Sequence, residues 1–257
     1  MIYISSKKWM IALLFAISVV MSGCATAPTD PEDRADWESL NDPLEPANRA
    51  IFDFNMKFDD YVLAPIARTY RYVMPAQGQL AVHNFLANLS SPWIFVNDAL
   101  QMNGVRAFET AERFFVNSTI GVGGLFDPVA ANKGPLHHDE DFGQTLAVWG
   151  VPEGPYLMLP FLGPSNPRDT TGLVTEYFAD PTDIVLSDND LDWAVWTRFG
   201  LDVVDLRTQL LDPLDDLKKS SLDYYSAIRS IYRQRRDSLI SNKDLPVTKI
   251  VEQGPKQ

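Results

Sequence analysis

Proline recurs 18 times in the 257 residues, against about 13 at average usage, and the pieces between prolines carry helical rather than strand periods. Each proline removes a backbone donor and crowds the preceding turn, so these positions limit the length of any regular element. Asp42-Pro43-Leu44-Glu45 is a capping-box pattern with proline at the first helical position. The helix it opens is expected to run to about Leu63, ending before Pro65. Val82, Phe85, Leu86 and Leu89 keep i, i+3, i+4, i+7 spacing. Ser91-Pro92 opens a further helix carrying Trp93, Val96 and Leu100, closed by Asn103-Gly104. Val105 to Ile120 follows, with Phe108, Ala111 and Phe115 on one stripe. Phe142, Thr145, Leu146 and Trp149 form the next face, ended by Gly150. Val151 to Pro167 holds Pro152, Pro155, Pro160, Pro164 and Pro167, and is neither a continuous helix nor a central strand. Leu191, Val195, Phe199, Val203, Leu206 and Leu210 line a long helix. Leu214, Leu217, Ser221, Tyr224, Ile228 and Ile231 line another at heptad-like spacing. Arg233, Arg235 and Arg236 fall near its C-terminus, where cations suit the helix dipole. Period-2 alternation is nearly absent, so the fold class is all-α, with one domain over 37–239 and a flexible tail over 240–257.

The first of these helices has two apolar faces. At 100° per residue, Leu44, Ala47, Ile51, Phe54, Phe58, Tyr61 and Val62 form a broad one, roughly 100° wide. Phe52, Met56 and Leu63 form a second ridge roughly opposite. A helix on a water-facing surface needs one apolar face, so both sides of this one must be covered. The cover is either more protein, or lipid on one side and a helical core on the other.

The N-terminus reads as an address. Lys7 and Lys8 precede an apolar run from Trp9 to Met21, and Ser22-Gly23-Cys24 follows. A run this short suits a signal-peptide core rather than a bilayer span. Met21-Ser22-Gly23-Cys24 resembles the bacterial lipobox, with Met at −3 in place of the commoner Leu. Residues 1–23 are therefore expected to be a cleaved lipoprotein leader, Cys24 the acylated N-terminus, and 24–36 an acidic, proline-bearing tether. Ala25 rather than Asp after the cysteine points to the outer membrane, on its periplasmic side. Acyl chains supply the membrane affinity at about 0.8 kcal/mol per buried CH₂. Headgroup attraction does not, because losing Lys7 and Lys8 takes the net charge from −12 to −14. That balance also argues against nucleic acid, whose phosphates require a basic footprint.

Chemistry-bearing motifs are few. One cysteine, used as the lipid attachment point, excludes a disulfide framework or a multi-cysteine metal site. His137-His138-Asp139-Glu140-Asp141 is the densest ligand-like cluster. Adjacent residues on one loop rarely converge on one metal, so a solvated acidic helix start is the preferred reading, with no metal and no cofactor. Gly121-Val122-Gly123-Gly124 lacks the spacing of a phosphate loop and reads as a tight backbone turn. His83 stands alone on a helix, where it caps or packs. Acids such as Asp215-Asp216 read as solvated surface. No nucleophile elbow, His-Glu-x-x-His or Cys/His pair occurs, so an enzyme has no positive support.

Several blocks then fall together. They are Asn41-Asp-Pro-Leu-Glu-Pro-Ala-Asn-Arg49, Arg113 to Pro128, Asp141-Phe-Gly-Gln-Thr-Leu-Ala-Val-Trp-Gly150, and Gly154 to Pro160 with Pro167-Arg-Asp169. With the lipobox, these resemble the MlaA (VacJ) family of outer-membrane lipoproteins over roughly residues 41–237. The resemblance implies an all-helical, ring-shaped domain embedded in the periplasmic leaflet of the outer membrane, associated with trimeric porins. It implies an amphipathic channel that removes mislocalised phospholipid from the outer leaflet and passes it to a periplasmic phospholipid carrier, maintaining lipid asymmetry. A hairpin-like segment flanks the channel in the family, and Phe142 to Leu159 matches that position.

The reading is a non-enzymatic phospholipid-transport lipoprotein, with Phe52, Asn55, Met56, Phe142, Tyr156 and Leu159 expected along the lipid path. Its headgroup would slide in a polar channel with its tails against apolar walls. The alternatives are a structural lipoprotein scaffolding porins or envelope assembly, and a lipid-modifying enzyme.

Overall fold

The computed structural model describes residues 41–242. The leader 1–23, Cys24, the tether 24–36 and the tail beyond Asn242 lie outside the described residues. The class is all-α, as the periods indicated, with one two-stranded sheet. No helix among the described residues is long and apolar enough to cross a membrane.

The order begins with α1 (Glu45–Phe58), a π-helical turn (Asp59–Leu63) and α2 (Ala64–Val73). The expected stop before Pro65 does not occur. Ala64 stays in the right-handed helical region and its N–H reaches back five residues to Asp59 O. Pro65 then falls within the first two positions of α2, where no intrahelical donor is needed. The widened turn absorbs the proline.

A second expected break is also absent. The stretches 82–89 and 91–100 are one 25-residue helix, α3 (Ala76–Leu100), with Pro92 inside it. The hydroxyls of Ser90 and Ser91 donate to the carbonyls of Leu86 and Ala87, at 3.2 and 3.1 Å. These are i to i−4 back-bonds of the kind that bends a helix, in the turn just before the proline. Next come α4 (Gly104–Thr119), capped by Asn103, and α5 (Pro128–Ala131), capped by Asp127. After them come α6 (Phe142–Val148), strands β1 (Leu157–Leu159) and β2 (Gly163–Ser165), and α7 (Pro167–Ala179). The chain closes with α8 (Pro181–Asp188), α9 (Asp192–Gln209), α10 (Leu211–Ser220) and α11 (Tyr224–Ile240). Periodicity did not reveal α7 and α8. The heptad-like run after Leu210 is divided at Ser221, where Asp223 caps α11.

Contacts divide the chain into two units: residues up to 57 with 154–167, and 58–153 with residues from 168 onward. In the first, β1 and β2 form an antiparallel hairpin with Met158 opposite Pro164. Two asparagines two turns apart on α1 hold its edge. Asn48 donates to Tyr156 O (3.0 Å) and accepts from Met158 N (2.9 Å). Asn55 donates to Leu159 O (2.9 Å) and accepts from Phe161 N (2.8 Å). Each amide thus offers the donor and acceptor that a neighbouring strand would have supplied. The expected hairpin over Phe142–Leu159 is thereby corrected. Its first half is α6, and the turn that pairs lies between 157 and 165.

In the second unit α3 packs against α4, and the glycine loop after α4 makes a close crossing. Gly124 has φ +93°, and a Cβ there would stand 2.5 Å from Asn88 Cβ. Salt bridges tie the 58–73 stretch to α9 and α10, with Arg207 forked onto Asp59 at 2.6 and 2.8 Å and Arg68 on Asp215 at 2.9 Å. Asp215 is therefore paired rather than merely solvated.

Candidate functional site

What is buried in this chain is largely polar. Among the described residues 24 polar or charged side chains are buried against 16 apolar ones, the reverse of an ordinary core. On α1 the buried line is Asn48, Phe52 and Asn55, while Phe54, Tyr61 and Val62 of the broad apolar face are exposed. On α4 Thr110, Arg113 and Asn117 are buried, and Phe108 and Phe115 are 71% and 67% exposed. On α9 Arg198, Asp205 and Thr208 are buried, whereas Trp193, Trp196, Phe199 and Leu206 are exposed.

Burying charge is costly unless it is paired, and in the second unit it is paired through four nodes. Asp98, at the end of α3, accepts from Thr110 Oγ1 (2.7 Å) and lies 3.2 Å from His138 Nε2. Glu140 beside it accepts from Gln101 (2.7 Å) and Arg106 (3.3 Å). Arg236 bridges Asp141 and Asp169, with Nε 2.7 Å from Asp169 Oδ2, and Tyr232 donates to the same carboxylate at 2.5 Å. Arg198 joins Asp180 (2.9 Å), Asp183 (2.7 Å) and Ser90 (3.2 Å). His83 Nδ1 lies 2.9 Å from Asp205 Oδ2.

These contacts revise two expectations. The 137–141 segment is not a solvated acidic helix start. His138 and Glu140 are buried, and only Asp141 acts as the cap of α6, through Gln144 N. The arginines of α11 are bonded to carboxylates rather than arrayed for the dipole: Arg235 to Asp139 at 2.6 Å, Arg236 to Asp141 and Asp169, and Arg233 within 3.6 Å of Glu153.

Between the nodes lies a cavity of about 490 Å³ within the second unit. Residues from α3 (His83, Ser90, Trp93), the 137–141 segment, α7 (Glu176), α9 (Asp202, Asp205) and α11 (Arg235) line it, with Leu86, Ile94 and Leu206 among its apolar walls. The electrostatics are uneven. Burial opposes the charge of Asp139, yet His137 and Arg235 hold its carboxyl well below the usual range. Burial pushes Glu140 up to about 7, reinforced by Asp98. Burial likewise pushes Glu176 up to about 7, with Asp141 and Asp180 adding to it, and Asp202 up to about 6. Asp98, His138 and Glu140 bring ligand-type atoms within 4.8 Å of one another, the one grouping among the described residues with a metal-like donor set. Each already has a protein partner in Thr110, Gln101 or Arg106.

The residues expected on the lipid path are dispersed. Phe52, Asn55 and Tyr156 are buried in the first unit, Met56 and Leu159 are half-buried there, and Asn55 fixes the hairpin. Phe142 is half-buried on α6, edge-on to Trp149 at 5.8 Å. Sequence reasoning missed Trp93, Glu176, Asp202 and Asp205. For the last two a signal existed, since Arg198, Asp202 and Asp205 recur at i, i+4, i+7 opposite the aromatic residues of α9.

The sequence pattern of a family described as MlaA lipoprotein matches residues 40–239. A protein of Escherichia coli K12, the intermembrane phospholipid transport system lipoprotein MlaA, is 32% identical over 235 residues, covering 89% of this chain and 87% of that protein. An uncharacterized protein of Rickettsia felis is 36% identical over 200 residues, 77% of this chain and 78% of its own length. A solved structure, reported as the structural basis for maintenance of bacterial outer membrane lipid asymmetry, superposes with a TM-score of 0.67 at 35% identity. It covers 77% of this chain and 98% of the solved one.

Proposed function

Because the chain belongs to the MlaA lipoprotein family, we propose that it is the lipoprotein of an intermembrane phospholipid transport system that maintains outer-membrane lipid asymmetry. The observation that carries this is the inverted arrangement of side chains, charge inside and aromatic and aliphatic surface outside. Water penalises such a surface by roughly 25 cal/mol per Å² of apolar area, and an acyl environment removes the penalty. The chain is held at one leaflet by acyl groups on Cys24 after removal of 1–23; among the described residues no helix is long and apolar enough to cross a membrane. Exposed Trp193, Trp196, Tyr177 and Tyr72 are of the type that settles at a bilayer interface.

The mechanism is passive. A phospholipid lodges its headgroup in the polar interior while its tails contact apolar walls, and energy is supplied downstream. No cofactor beyond the lipid on Cys24 is required and no covalent chemistry takes place. A trimeric porin on the membrane side and a phospholipid carrier on the periplasmic side are the partners this route needs. Of the residues expected along the path, Asn55 and Tyr156 serve by fixing the hairpin.

The test is a deletion strain assayed for phospholipid in the outer leaflet and complemented with this chain. Complementation should restore the low surface phospholipid of the parent. Restored porin assembly without a change in surface phospholipid would instead support the scaffold reading.

A further inference from the structure

The apolar stripe of α4 carries charge along its first half. Gly104, Val105, Phe108, Glu109, Glu112 and Pro135 line a shallow groove of about 440 Å³ there. Val105 and Phe108 are each 71% exposed. The carboxylates of Glu109 and Glu112 have no hydrogen-bonded or ion-paired partner among the described residues. Hydrocarbon suits the two apolar side chains but not the two carboxylates beside them. A cover for this groove must therefore bring apolar side chains and a cation together.

The described chain ends next to it. Past α11, the carbonyl of Asn242 accepts from Arg106 Nη2 at 3.4 Å, and Arg106 follows Val105 on α4. Residues 243–257 continue from that point, with Leu245, Val247, Lys249 and Val251 among them. Pro246 disfavours a helix here, and in an extended chain every second side chain shares a face. That face reads Leu245, Val247, Lys249, Val251, which is apolar, apolar, cation, apolar. The spacing fits as well. Val105 and Glu112 lie about 10 Å apart along the helix axis. Leu245 and Lys249 lie about 13 Å apart in an extended chain, a difference that a lysine side chain spans. Asp244 falls beside Arg106, and Glu252 falls on the opposite face, away from the two groove acids.

We propose that residues 244–251 of this chain dock as an extended strap along the α4 groove, with Leu245 and Val247 over Val105 and Phe108, and Lys249 at Glu109 and Glu112. The strap ties the end of α11 to α4. It covers with the chain's own residues a stretch whose carboxylates acyl chains would leave unsolvated, while Phe115, further along the same stripe, stays open to lipid. The inference does not depend on the transport reading.

The test uses the full, acylated protein in vesicles of phosphatidylethanolamine and phosphatidylglycerol. Cysteine pairs are oxidised, linked peptides are identified by mass spectrometry, and unchanged circular dichroism confirms the fold of each variant. Phe108→Cys with Val247→Cys should form an intramolecular disulfide. Phe108→Cys with Thr248→Cys, one residue along but on the other face, should form it about tenfold more slowly, because a disulfide requires its Cβ atoms to point together. Lys249→Glu should slow the first pair about threefold, the worth of one exposed ion pair, and adding Glu112→Lys should restore the rate. Equal rates at 247 and 248 overturn the docked register and leave a loose tether. A disulfide between two molecules, seen as a dimer on a non-reducing gel, gives the groove to a second copy and overturns the strap. Labelling of Phe108 by a diazirine-bearing acyl chain in the same vesicles gives the groove to lipid and also overturns it. Each of these outcomes leaves the transport reading to the surface-phospholipid assay.

Discussion

Arg235 and Arg236 are neighbours on α11, carry the same charge and would be indistinguishable to a dipole argument, yet they should differ sharply when removed. Arg236 is 11% exposed and faces Asp141 and Asp169, the latter 8% exposed, through contacts of 2.5 to 3.1 Å. Arg236→Ala leaves two carboxylates facing each other without their shared cation. Breaking a buried pair in this way costs about 3–5 kcal/mol. Arg235 pairs with Asp139, whose side chain is 54% exposed. Water screens that pair, so Arg235→Ala should cost about 0–1 kcal/mol. At about 2–4 °C per kcal/mol for a domain of this size, the first variant should melt roughly 10 °C lower, and the second within a few degrees of the parent. The assay is thermal unfolding of detergent-solubilised protein followed by circular dichroism, repeated at high salt. Salt should shrink the Arg235 effect and leave most of the Arg236 effect, because buried pairs are screened less. Equal losses at the two positions would refute the reasoning and return the cluster to a diffuse electrostatic role. The double variant Arg236→Met with Asp169→Asn should recover part of the loss, because one buried carboxylate is removed together with the cation it shared with Asp141.

Five further outcomes are expected. Glu140 is held up at about 7 by burial, so the folded state binds its proton more tightly than the unfolded chain, and stability should fall as pH rises from about 4.5 to 7. Glu140→Gln should flatten that window in pH-dependent denaturant titrations, and a parent curve that rises across it would contradict the assignment. Asp141 runs the other way: Arg236 holds its carboxyl low against burial, so its contribution is present above about pH 4 and fades below it. Gly172→Ala should destabilise by about 1–3 kcal/mol, because its Cβ would stand 2.5 Å from Gly143 N and force α6 and α7 apart; unchanged melting would deny that close approach. Asn55→Ala should cost about 1–3 kcal/mol by stranding Leu159 O and Phe161 N–H, read as faster hydrogen exchange at the Phe161 amide. Cys24→Ala should abolish metabolic labelling with palmitate, and retained label would remove Cys24 as the anchor.

Helix existence was largely legible because apolar spacing of 3.6 survives whatever surrounds the helix. Direction was not. The periods of α4 and α9 mark one apolar stripe each, and in water that stripe would face inward, yet Phe108, Phe115, Trp196 and Phe199 face out. Periodicity reports that a helix has two kinds of face and is silent on which kind meets the interior. The surroundings decide: on α1 the second ridge is the buried one at Phe52, and the broad face is open at Phe54. The misplaced boundaries have a different cause. Proline rules treat the lost N–H as final, whereas α3 runs on through Pro92 and a π turn carries the chain past Pro65. For α7 and α8 a local signal went unused, since Asp180 caps the helix that Pro181 opens. The interior of the candidate site was the least legible part, because its carboxylates come from α3, the 137–141 segment, α7 and α9, at separations no local window spans. Only their excess was visible, in the 34 acids against 22 bases. Part of that excess is placed inside, at Asp98, Glu140, Asp169, Asp180 and Asp205. On α4 and α9 that placement is visible residue by residue, with Arg113, Arg198 and Asp205 turned inward while Phe108, Phe115, Trp196 and Phe199 face out.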